Sequence, residues 1–372
     1  MSKRNWLKKE LESLIAAGRG GDRLPTYSEM IRRYDVGQAT IDYVIQDLAV
    51  EGKIERRPGV GLFITALAKQ RSVGVIFDWD PFHSGEGIFQ RLLIEKCRER
   101  ILAYGQHYSF YLRMSHRGVE PVSEPPDLVQ DIKAGRLEGV IVLGGGGGRL
   151  DRMLEEAQMP CVRYASFSSR KDRVGIDCRN LIEQGVSALA YSGSRRIGLV
   201  SCCGSVRGIE PGFREDLDAF SEALKRFGLE EIPGAVVERR LGKGSFSSPG
   251  GESQSDAGYL MARELFEGGE AGRLGLDGLV VMDDFQAQGV LIALEKLGLR
   301  VPHDVRMATY ASSEGSPLKY QSENLILLEV GADVVVAALF LMLERWMLQG
   351  IRPSEAHRVP VTLRLPVFSP IS

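Results

Sequence analysis

The side chains best suited to chemistry in this sequence lie close together near the N-terminus, and they offer hydrogen bonds and charge rather than covalent catalysis. Gln38, Thr40, Asp42 and Tyr43 stand within six consecutive residues, and Arg56-Arg57 follow them. A glutamine pairs with adenine through two hydrogen bonds, and a carboxylate accepts a hydrogen bond from cytosine. These residue types therefore favour recognition of a polar surface over turnover of a substrate.

Histidine, serine and cysteine form no catalytic or metal-binding pattern in the sequence. The five histidines include no HExxH motif, and no serine stands in a Gly-x-Ser-x-Gly elbow. The five cysteines include no CxxC pair, so we expect reduced core residues rather than disulfides or metal ligands. The glycine run at 144–148 lacks the Lys-Ser/Thr ending of a phosphate loop. We therefore expect no enzymatic activity, no metal and no cofactor.

Length and composition indicate a globular protein with more than one domain. Single cores stop growing near ~250–300 residues, and this chain has 372, of which 44% are hydrophobic and 26% charged. The apolar run at 334–343 is about half the ~20 residues that a membrane helix needs. The first residues also lack the continuous apolar stretch of a secretory signal. We expect a cytoplasmic protein with no membrane association.

Periodic apolar residues in the first segment predict three helices. The first helix ends near residue 17, before the glycines that follow it. Thr26 and Glu29 have the spacing of a capping box, which predicts that a short second helix begins there. After the connection at 35–37, apolar residues recur at helical spacing at Ile41, Val44, Ile45 and Leu48. This arrangement predicts a helix-turn-helix whose third helix presents its first residues outward.

A glycine-rich turn after the third helix predicts a small β-hairpin, or wing. Residues 53–57 and 62–64 are the two strands, and 58–61 is the turn. Arg56 and Arg57 at the base of this wing are placed to approach phosphates or a minor groove. Residues 1–66 carry 11 Lys or Arg and 9 Asp or Glu, so this segment has a modest positive charge. The whole chain, in contrast, has a net charge of −2.

Residues 5–65 resemble the DNA-binding domain of the GntR family. The shared residues are Leu24-Pro25-Thr26, Glu29, Val36, Ala39-Thr40-Ile41, Leu48, Glu51-Gly52, Arg57, Gly59 and Gly61. The resemblance implies binding of double-stranded DNA through Thr26, Gln38, Ala39, Thr40, Asp42, Tyr43, Arg56, Arg57 and Gly59. An alternative is that the three helices and the hairpin serve protein–protein contacts.

Two positions depart from the GntR pattern where it usually carries basic residues. Gly37-Gln38 replaces the common Ser-Arg, and Asp42 replaces a frequent arginine. An aspartate repels phosphate but accepts a hydrogen bond from cytosine. We expect DNA binding to be retained with a changed sequence preference.

From residue 72 onward, apolar runs alternate with helical stretches, a pattern that predicts parallel sheets with helices on both faces. Residues 71–365 resemble the effector-binding domain of the LacI family, which is similar to periplasmic sugar-binding proteins. The motifs are Asp80-Pro81-Phe82, Ser194-Arg195-Arg196-Ile197-Gly198, Asp283-Asp284 with Ala287 and Gly289, and Gly298-Leu299-Arg300-Val301-Pro302 with Asp304-Val305.

These resemblances imply an α/β protein: an N-terminal winged helix-turn-helix at 1–66, a linker at 67–71 and a two-lobed domain with two parallel sheets at 72–372. In the LacI-type domain the chain crosses between the lobes three times. A ligand then binds in the cleft at the carboxyl ends of the strands. We expect such an effector to change the spacing of paired DNA-binding heads.

The cleft positions depart furthest from the LacI pattern. Asp283 replaces an asparagine, Ala311-Ser312 replaces an Asp-Asp pair, Ile209 replaces an arginine, and Ala165 replaces a carboxylate. The candidate effector-binding residues are Trp79, Phe82, His83, Arg163, Arg207, Asp283 and Tyr310. Trp79 or Phe82 would stack on a sugar face; the alternative is that these aromatics only line the cleft floor. A common pentose or hexose is not expected.

The function implied is that of a DNA-binding repressor that acts as a homodimer on a roughly palindromic operator. Its effector is expected to be a small molecule, with a carbohydrate as one candidate. The alternative is a dimeric DNA-binding regulator whose cleft binds no sugar. Repression or activation depends on where the operator lies relative to a promoter, which no residue encodes.

Overall fold

The protein is described from a computed structural model, which covers residues 3–65, 72–78, 88–103, 107–113, 124–144, 147–165, 170–201, 211–238, 253–267 and 274–366. The chain divides into two compact units. The first, here the head, contains Met1–Ser72 with Ile101–His107, and the second contains Val73–Arg100 and Tyr108–Ser372.

The head contains the three helices and the wing that the sequence predicts. Its elements are α1 (Lys3–Ala17), α2 (Tyr27–Tyr34), α3 (Gln38–Val50), β1 (Ile54–Arg57) and β2 (Gly61–Ile64). The apolar faces of the helices meet in one core, which includes Leu7, Leu11, Met30, Ile41 and Leu48 at 0% exposure. The helix-turn-helix and the wing are therefore confirmed as a fold.

Local sequence signals set the ends of α2. The Glu29 amide donates to the Thr26 hydroxyl, and the Thr26 amide donates to the Glu29 carboxylate at 2.7 Å, which completes the predicted capping box. At the other end Asp35 adopts a left-handed conformation (φ 49°), which aspartate tolerates better than most residues, and turns the chain toward α3.

One feature of the wing is not visible in the sequence pattern. The segment before α2 pairs with β2: the Gly21 amide donates to the Ile64 carbonyl at 2.8 Å, and the Leu24 amide donates to the Leu62 carbonyl at 2.9 Å. The two-stranded wing thereby gains backbone hydrogen bonds on its free edge, which ties its base to the helices.

The second unit begins with a lobe built on a six-stranded sheet, here lobe 1. Its strands, in spatial order, are β13 (His357–Val359), β7 (Arg173–Ile176), β6 (Cys161–Tyr164), β5 (Gly139–Leu143), β3 (Ser72–Phe77) and β4 (His107–Leu112). The helices of this lobe are α4 (Ile88–Ala103), α5 (Pro126–Lys133), α6 (Gly148–Glu156) and α11 (Ala332–Gln349). The strand pairs described from β13 to β3 are all parallel.

Lobe 2 repeats this plan with a second six-stranded sheet. Its order is β14 (Thr362–Arg364), β12 (Ile326–Val330), β11 (Arg306–Ser312), β10 (Gly278–Val281), β8 (Ile197–Ser201) and β9 (Val236–Glu238). Among the strand pairs described for this sheet, only the pair of β14 with β12 is antiparallel. The helices of this lobe are α7 (Cys178–Tyr191), α8 (Pro211–Arg226), α9 (Gln254–Phe266) and α10 (Asp284–Lys296).

The chain passes between the two sheets three times, as the LacI resemblance implied. It leaves lobe 1 after β7, returns after β12 into α11, and leaves again between β13 and β14. The lobes are consequently discontinuous in sequence. Among the described helices, none has both the length and the apolar character to cross a bilayer.

Candidate functional site

The outward face of α3 carries most of the predicted DNA-contacting residues. Gln38 and Ala39 begin the helix and are exposed, Thr40 is half-buried, and Asp42 and Tyr43 are exposed one turn further along. The opposite face, with Ile41, Val44, Ile45 and Leu48, is buried in the head core. The structure therefore brings these five side chains to one accessible surface, the polar α3 face, on which their DNA contacts remain a prediction.

The remaining predicted residues of the head have intramolecular partners. Thr26 is committed to the capping box. The Nε of Arg57 donates to Glu55 Oε1 at 2.7 Å, and its guanidinium stands 4.4 Å from the centre of the Phe63 ring. Gly59 turns the wing at φ 73°, where a Cβ would be strained. Arg57 therefore remains at the surface in a fixed orientation.

Asp42 lies beside a tyrosine and an arginine rather than standing alone. Burial, together with the neighbouring carboxylate of Asp42, raises the pKa of Tyr27. The Arg56 guanidinium stands 5.8 Å from the centre of the Tyr27 ring. Tyr27 of α2 therefore lies near both the carboxylate of Asp42 and the guanidinium of Arg56.

An arginine from α1 joins the α3 face, although the sequence pattern did not point to it. The Cζ atom of Arg4 is 3.0 Å from the centre of the Tyr43 ring, and its guanidinium is 3.9 Å from Asp47. Asp47 forms a closer ion pair with Lys8, whose Nζ lies 2.8 Å from its carboxylate. The contact between Arg4 and Tyr43 depends on the packing of α1 against α3, so spacing along the chain gives no signal for it.

In the second unit, the predicted effector residues are only partly described. Trp79, Phe82, His83 and Arg207 lie outside the described residues. Tyr310 lies near the end of β11 and is 7% exposed. Its ring contacts Phe89 of α4 at 6.3 Å between centroids, and Phe89 contacts Tyr164 at 5.9 Å. Tyr310 therefore belongs to an aromatic cluster formed by both lobes.

Carboxylates and hydroxyls surround the start of α10 at the end of β10. Asp283 caps the helix by accepting a hydrogen bond from the Gln286 amide at 2.9 Å. Asp284 is 5% exposed, and burial raises its pKa although the Ser316 side chain and the Ser312 backbone donate hydrogen bonds to it. Asp283, which replaces the asparagine of the LacI pattern, therefore serves as the N-cap of α10.

Arg163 lies in an ion cluster and does not join Asp283 and Tyr310. Its side chain is 2% exposed, and its Nη1 is 2.8 Å from Asp151 Oδ1 while its Nε is 3.2 Å from Asp172 Oδ2. It lines a groove of about 470 Å³ together with residues of α6 and α11, including Trp346. The Nη1 and Nε donors of Arg163 thus contact two aspartates, and the effector role predicted for Arg163 stays a prediction.

A second buried arginine cluster lies at the ends of β3 and β4, and sequence reasoning missed it. Arg113 donates to Asp78 at 2.6 Å through Nη1 and to Glu124 at 2.7 Å through Nε and 3.1 Å through Nη2. The three side chains are between 1% and 5% exposed. These contacts fix the carboxyl ends of two strands of lobe 1, where a cleft ligand is expected to bind.

No candidate metal site is found among the described residues. Nowhere among them do three or more His, Cys, Asp or Glu side chains gather in a way that would hold a metal ion. Cys161 is buried, and its surroundings raise the pKa of its thiol to about 12, which disfavours the reactive thiolate.

Comparison with protein families settles the character of the head. Residues 5–64 match the family of bacterial regulatory proteins described as the gntR family. The head is a gntR-family domain. A comparison with curated protein sequences found no match.

Solved structures of transcription regulators resemble this chain over most of its length. The transcription regulator CcpA of Lactococcus lactis shares 18% identity and a TM-score of 0.59, over 80% of this chain and 98% of that chain. The transcription regulator GntR from Chromobacterium violaceum shares 19% identity and a TM-score of 0.56, over 79% and 98%. A complex of the transcriptional regulator CelR with cellobiose shares 18% identity and a TM-score of 0.59, over 91% and 94%. These similarities show that the second unit has the fold of LacI-type regulators.

Proposed function

We propose that this protein is a transcription regulator whose head binds an operator and whose second unit senses a small molecule. The observation that carries the proposal is the polar α3 face, which lies in a gntR-family domain and is flanked by arginines from α1 and β1. A helix presented in this way enters the major groove, where side chains read base edges. The acidic Asp42 beside Tyr27 shifts the sequence preference rather than abolishing binding.

The ligand proposed for the second unit is a small molecule with a carbohydrate-like face. Support comes from the aromatic cluster of Phe89, Tyr164 and Tyr310, because sugar rings stack on aromatic side chains. A regulator with this fold is known in complex with cellobiose. The proposed contacts among the described residues are Arg163, Asp283 and Tyr310, with Trp79, Phe82, His83 and Arg207 proposed from sequence alone.

The proposed assembly is a homodimer that represses transcription from a roughly palindromic operator. Two identical heads related by a twofold axis match two half-sites related by the same symmetry. The proposed boundaries are a head at 1–66, a linker at 67–71 that lies outside the described residues, and a sensing domain at 72–372. A ligand changes operator affinity only if it binds the two states of the dimer unequally.

A second candidate function is a regulator whose cleft binds no sugar. Ala311 stands where LacI relatives carry an aspartate, and it is 1% exposed within the core of lobe 2. Ala165 likewise offers only its backbone, and its carbonyl already accepts a hydrogen bond from Arg173 Nη1 at 3.0 Å. Two polar contacts for sugar hydroxyls are therefore missing from described positions.

Two measurements test these proposals separately. Selection of bound duplexes from a randomised DNA library, followed by affinity measurements across salt concentrations, tests the head. We expect a defined, roughly palindromic sequence whose affinity falls as salt rises, and salt-independent or absent binding would contradict DNA recognition.

Thermal unfolding with sugars, sugar phosphates and sugar acids tests the second unit. A ligand at 100 Kd stabilises by about 2.7 kcal/mol, whereas no shift across the panel favours the second candidate.

A further inference from the structure

We propose that Arg4 and Tyr43 form one DNA contact, in which the tyrosine ring holds the arginine toward the phosphate backbone. This inference rests on the DNA binding proposed above and adds a residue outside the helix-turn-helix. Arg4 lies in the first turn of α1, and its Cζ atom is 3.0 Å from the centre of the Tyr43 ring. Its side chain is 43% exposed, so the guanidinium is both stacked and accessible.

The charge distribution of α3 explains why a cation from another helix is needed. The helix has the sequence QATIDYVIQDLAV, which contains two aspartates and neither lysine nor arginine. Phosphate contacts supply much of the affinity of DNA-binding proteins, and they come mainly from arginine and lysine. A helix with this composition therefore needs cations from neighbouring elements to lie close to a phosphate backbone.

Asp47 leaves Arg4 largely available for such a contact. The carboxylate of Asp47 is 2.8 Å from Lys8 Nζ but 3.9 Å from Arg4. Lys8 also contacts Glu51 at 2.6 Å and thereby belongs to a separate ion-pair network between α1 and α3. The main partner of the Arg4 guanidinium is therefore the ring of Tyr43.

The geometry of the stack suits phosphate binding. A guanidinium placed over an aromatic ring keeps its N–H donors at the edge of the plane, where they can pair with two oxygens of a phosphate. The stack also restricts a long side chain before DNA arrives, which lowers the entropy lost on binding. Tyr43 accordingly acts as a positioning residue for Arg4 rather than as a reader of bases.

A purely structural role for the stack is the competing explanation. Leu7 and Leu11 are fully buried and already pack α1 into the head core. An exposed Arg4 adds little to that packing, and its removal should leave folding intact. Salt dependence separates the two roles, because only a phosphate contact changes the number of counterions released.

The test compares variants of the full-length protein on the duplex that the wild type selects. Arg4→Gln removes the charge, and Arg4→Lys keeps it without the planar fork. Tyr43→Phe keeps the ring, and Tyr43→Ala removes it. Lys9→Gln is the matched control, because Lys9 is exposed on the same helix but about 140° around it from Arg4. Affinity is measured from about 50 to 200 mM salt, and thermal unfolding confirms that each variant is folded.

We expect Arg4→Gln to weaken binding about threefold to tenfold and to reduce the salt slope by about 1. Arg4→Lys should keep the slope with weaker binding. Tyr43→Phe keeps the ring that holds Arg4 and should therefore keep the salt slope, and Lys9→Gln should match the wild type. Tyr43→Ala should weaken binding, and adding it to Arg4→Gln should cause little further loss, because the two residues act as a unit.

An unchanged slope in folded Arg4→Gln, or fully additive losses in the double variant, would overturn the inference while leaving DNA binding intact. Absence of salt-dependent binding by the wild type itself would instead overturn the proposed function, and the contact with it.

Discussion

The two lobes of the second unit share one topology, a six-stranded sheet with helices on both faces. They differ in the charged side chains that they bury and in how closely their helices pack. Lobe 1 buries two arginines, Arg113 and Arg163, each between two carboxylates. Lobe 2 instead brings α9 and α10 into backbone contact at Gly258 and Gly289. The same topology is thus sensitive to lost charge pairing in one lobe and to added volume in the other.

Two carboxylates, one partly buried in lobe 1 and one buried in lobe 2, show the same contrast. Burial alone would raise the pKa of Asp172 in lobe 1, but the hydrogen bond from Arg170 and the charges of Arg163 and Arg170 outweigh it and lower the pKa. In lobe 2, burial raises the pKa of Asp284, whose described partners are serine hydroxyl and backbone groups. Arginine neighbours therefore account for the opposite directions of the two pKa shifts.

The largest effect is expected from breaking the charge pairing of lobe 1. Arg113→Met leaves Asp78 and Glu124 buried without the guanidinium that neutralises them, and we expect the free energy of unfolding to fall by about 3–5 kcal/mol. Urea unfolding followed by circular dichroism measures the loss. The control is the triple variant Arg113→Met, Asp78→Leu, Glu124→Met, which removes all three charges together and should recover most of the stability. A triple variant as unstable as the single one would show that packing, rather than unpaired charge, causes the loss.

A slightly smaller loss is expected from adding one methyl group in lobe 2. A Cβ on Gly289 would collide with the Ser255 carbonyl and lie 2.7 Å from the Tyr259 nitrogen, both in the backbone of α9. Neither atom can move without separating the helices, so we expect Gly289→Ala to cost about 3 kcal/mol. Glu295→Ala, an exposed position on the same helix, is the control and should change stability by less than about 0.5 kcal/mol. Equal stability of both variants would mean that α9 and α10 are not held this close.

The comparison of the two carboxylates can be tested by the pH dependence of the stability of two asparagine variants. The folded pKa of Asp284 is raised above its ordinary value of 3.8, so the wild type loses stability as pH rises from 3.8 through the folded pKa. The free energy of unfolding of Asp284→Asn should therefore increase relative to that of the wild type as pH rises. The folded pKa of Asp172 is lowered, so its contribution is present above 3.8 and is lost as pH falls through the folded pKa. Asp172→Asn should be less stable than the wild type at neutral pH, and the difference should shrink in acid. Unfolding curves from about pH 3 to 7 measure both trends, and trends of the same sign would refute the comparison.

Sequence reasoning succeeded where the deciding interactions are local. The Thr26–Glu29 capping box and the apolar spacing of α3 involve neighbours a few residues apart, and the structure has both. The alternation of strands and helices likewise predicted two parallel sheets, and the resemblance supplied the three crossings.

The charged contacts could not be predicted, because the partners are distant in sequence. Arg113 meets Asp78 across 35 residues, and no spacing rule connects them. Arg163 was predicted as an effector contact, and its ion pairs with Asp151 and Asp172 were not foreseen, although its strand neighbour two positions earlier, Cys161, belongs to the apolar core of lobe 1. Alternation along β6 would have placed Arg163 on that same face and Tyr164 on the opposite one, where Tyr164 contacts Phe89.

The head contains charge pairs that are partly exposed, unlike the buried arginine clusters of lobe 1. The smallest effect on the free energy of unfolding is expected there. Burial alone would lower the pKa of Lys8, but its hydrogen bonds to Asp47 and Glu51 raise it, which shows that the charges are paired. The Lys8 side chain is nevertheless 26% exposed, so water and salt screen these pairs. We expect Lys8→Met to lower the free energy of unfolding by about 1 kcal/mol or less, and less still at high salt. Lys9→Met is the control for loss of a surface charge. If Lys8→Met instead cost as much as Arg113→Met, burial would not be what separates strong from weak charge pairs in this protein.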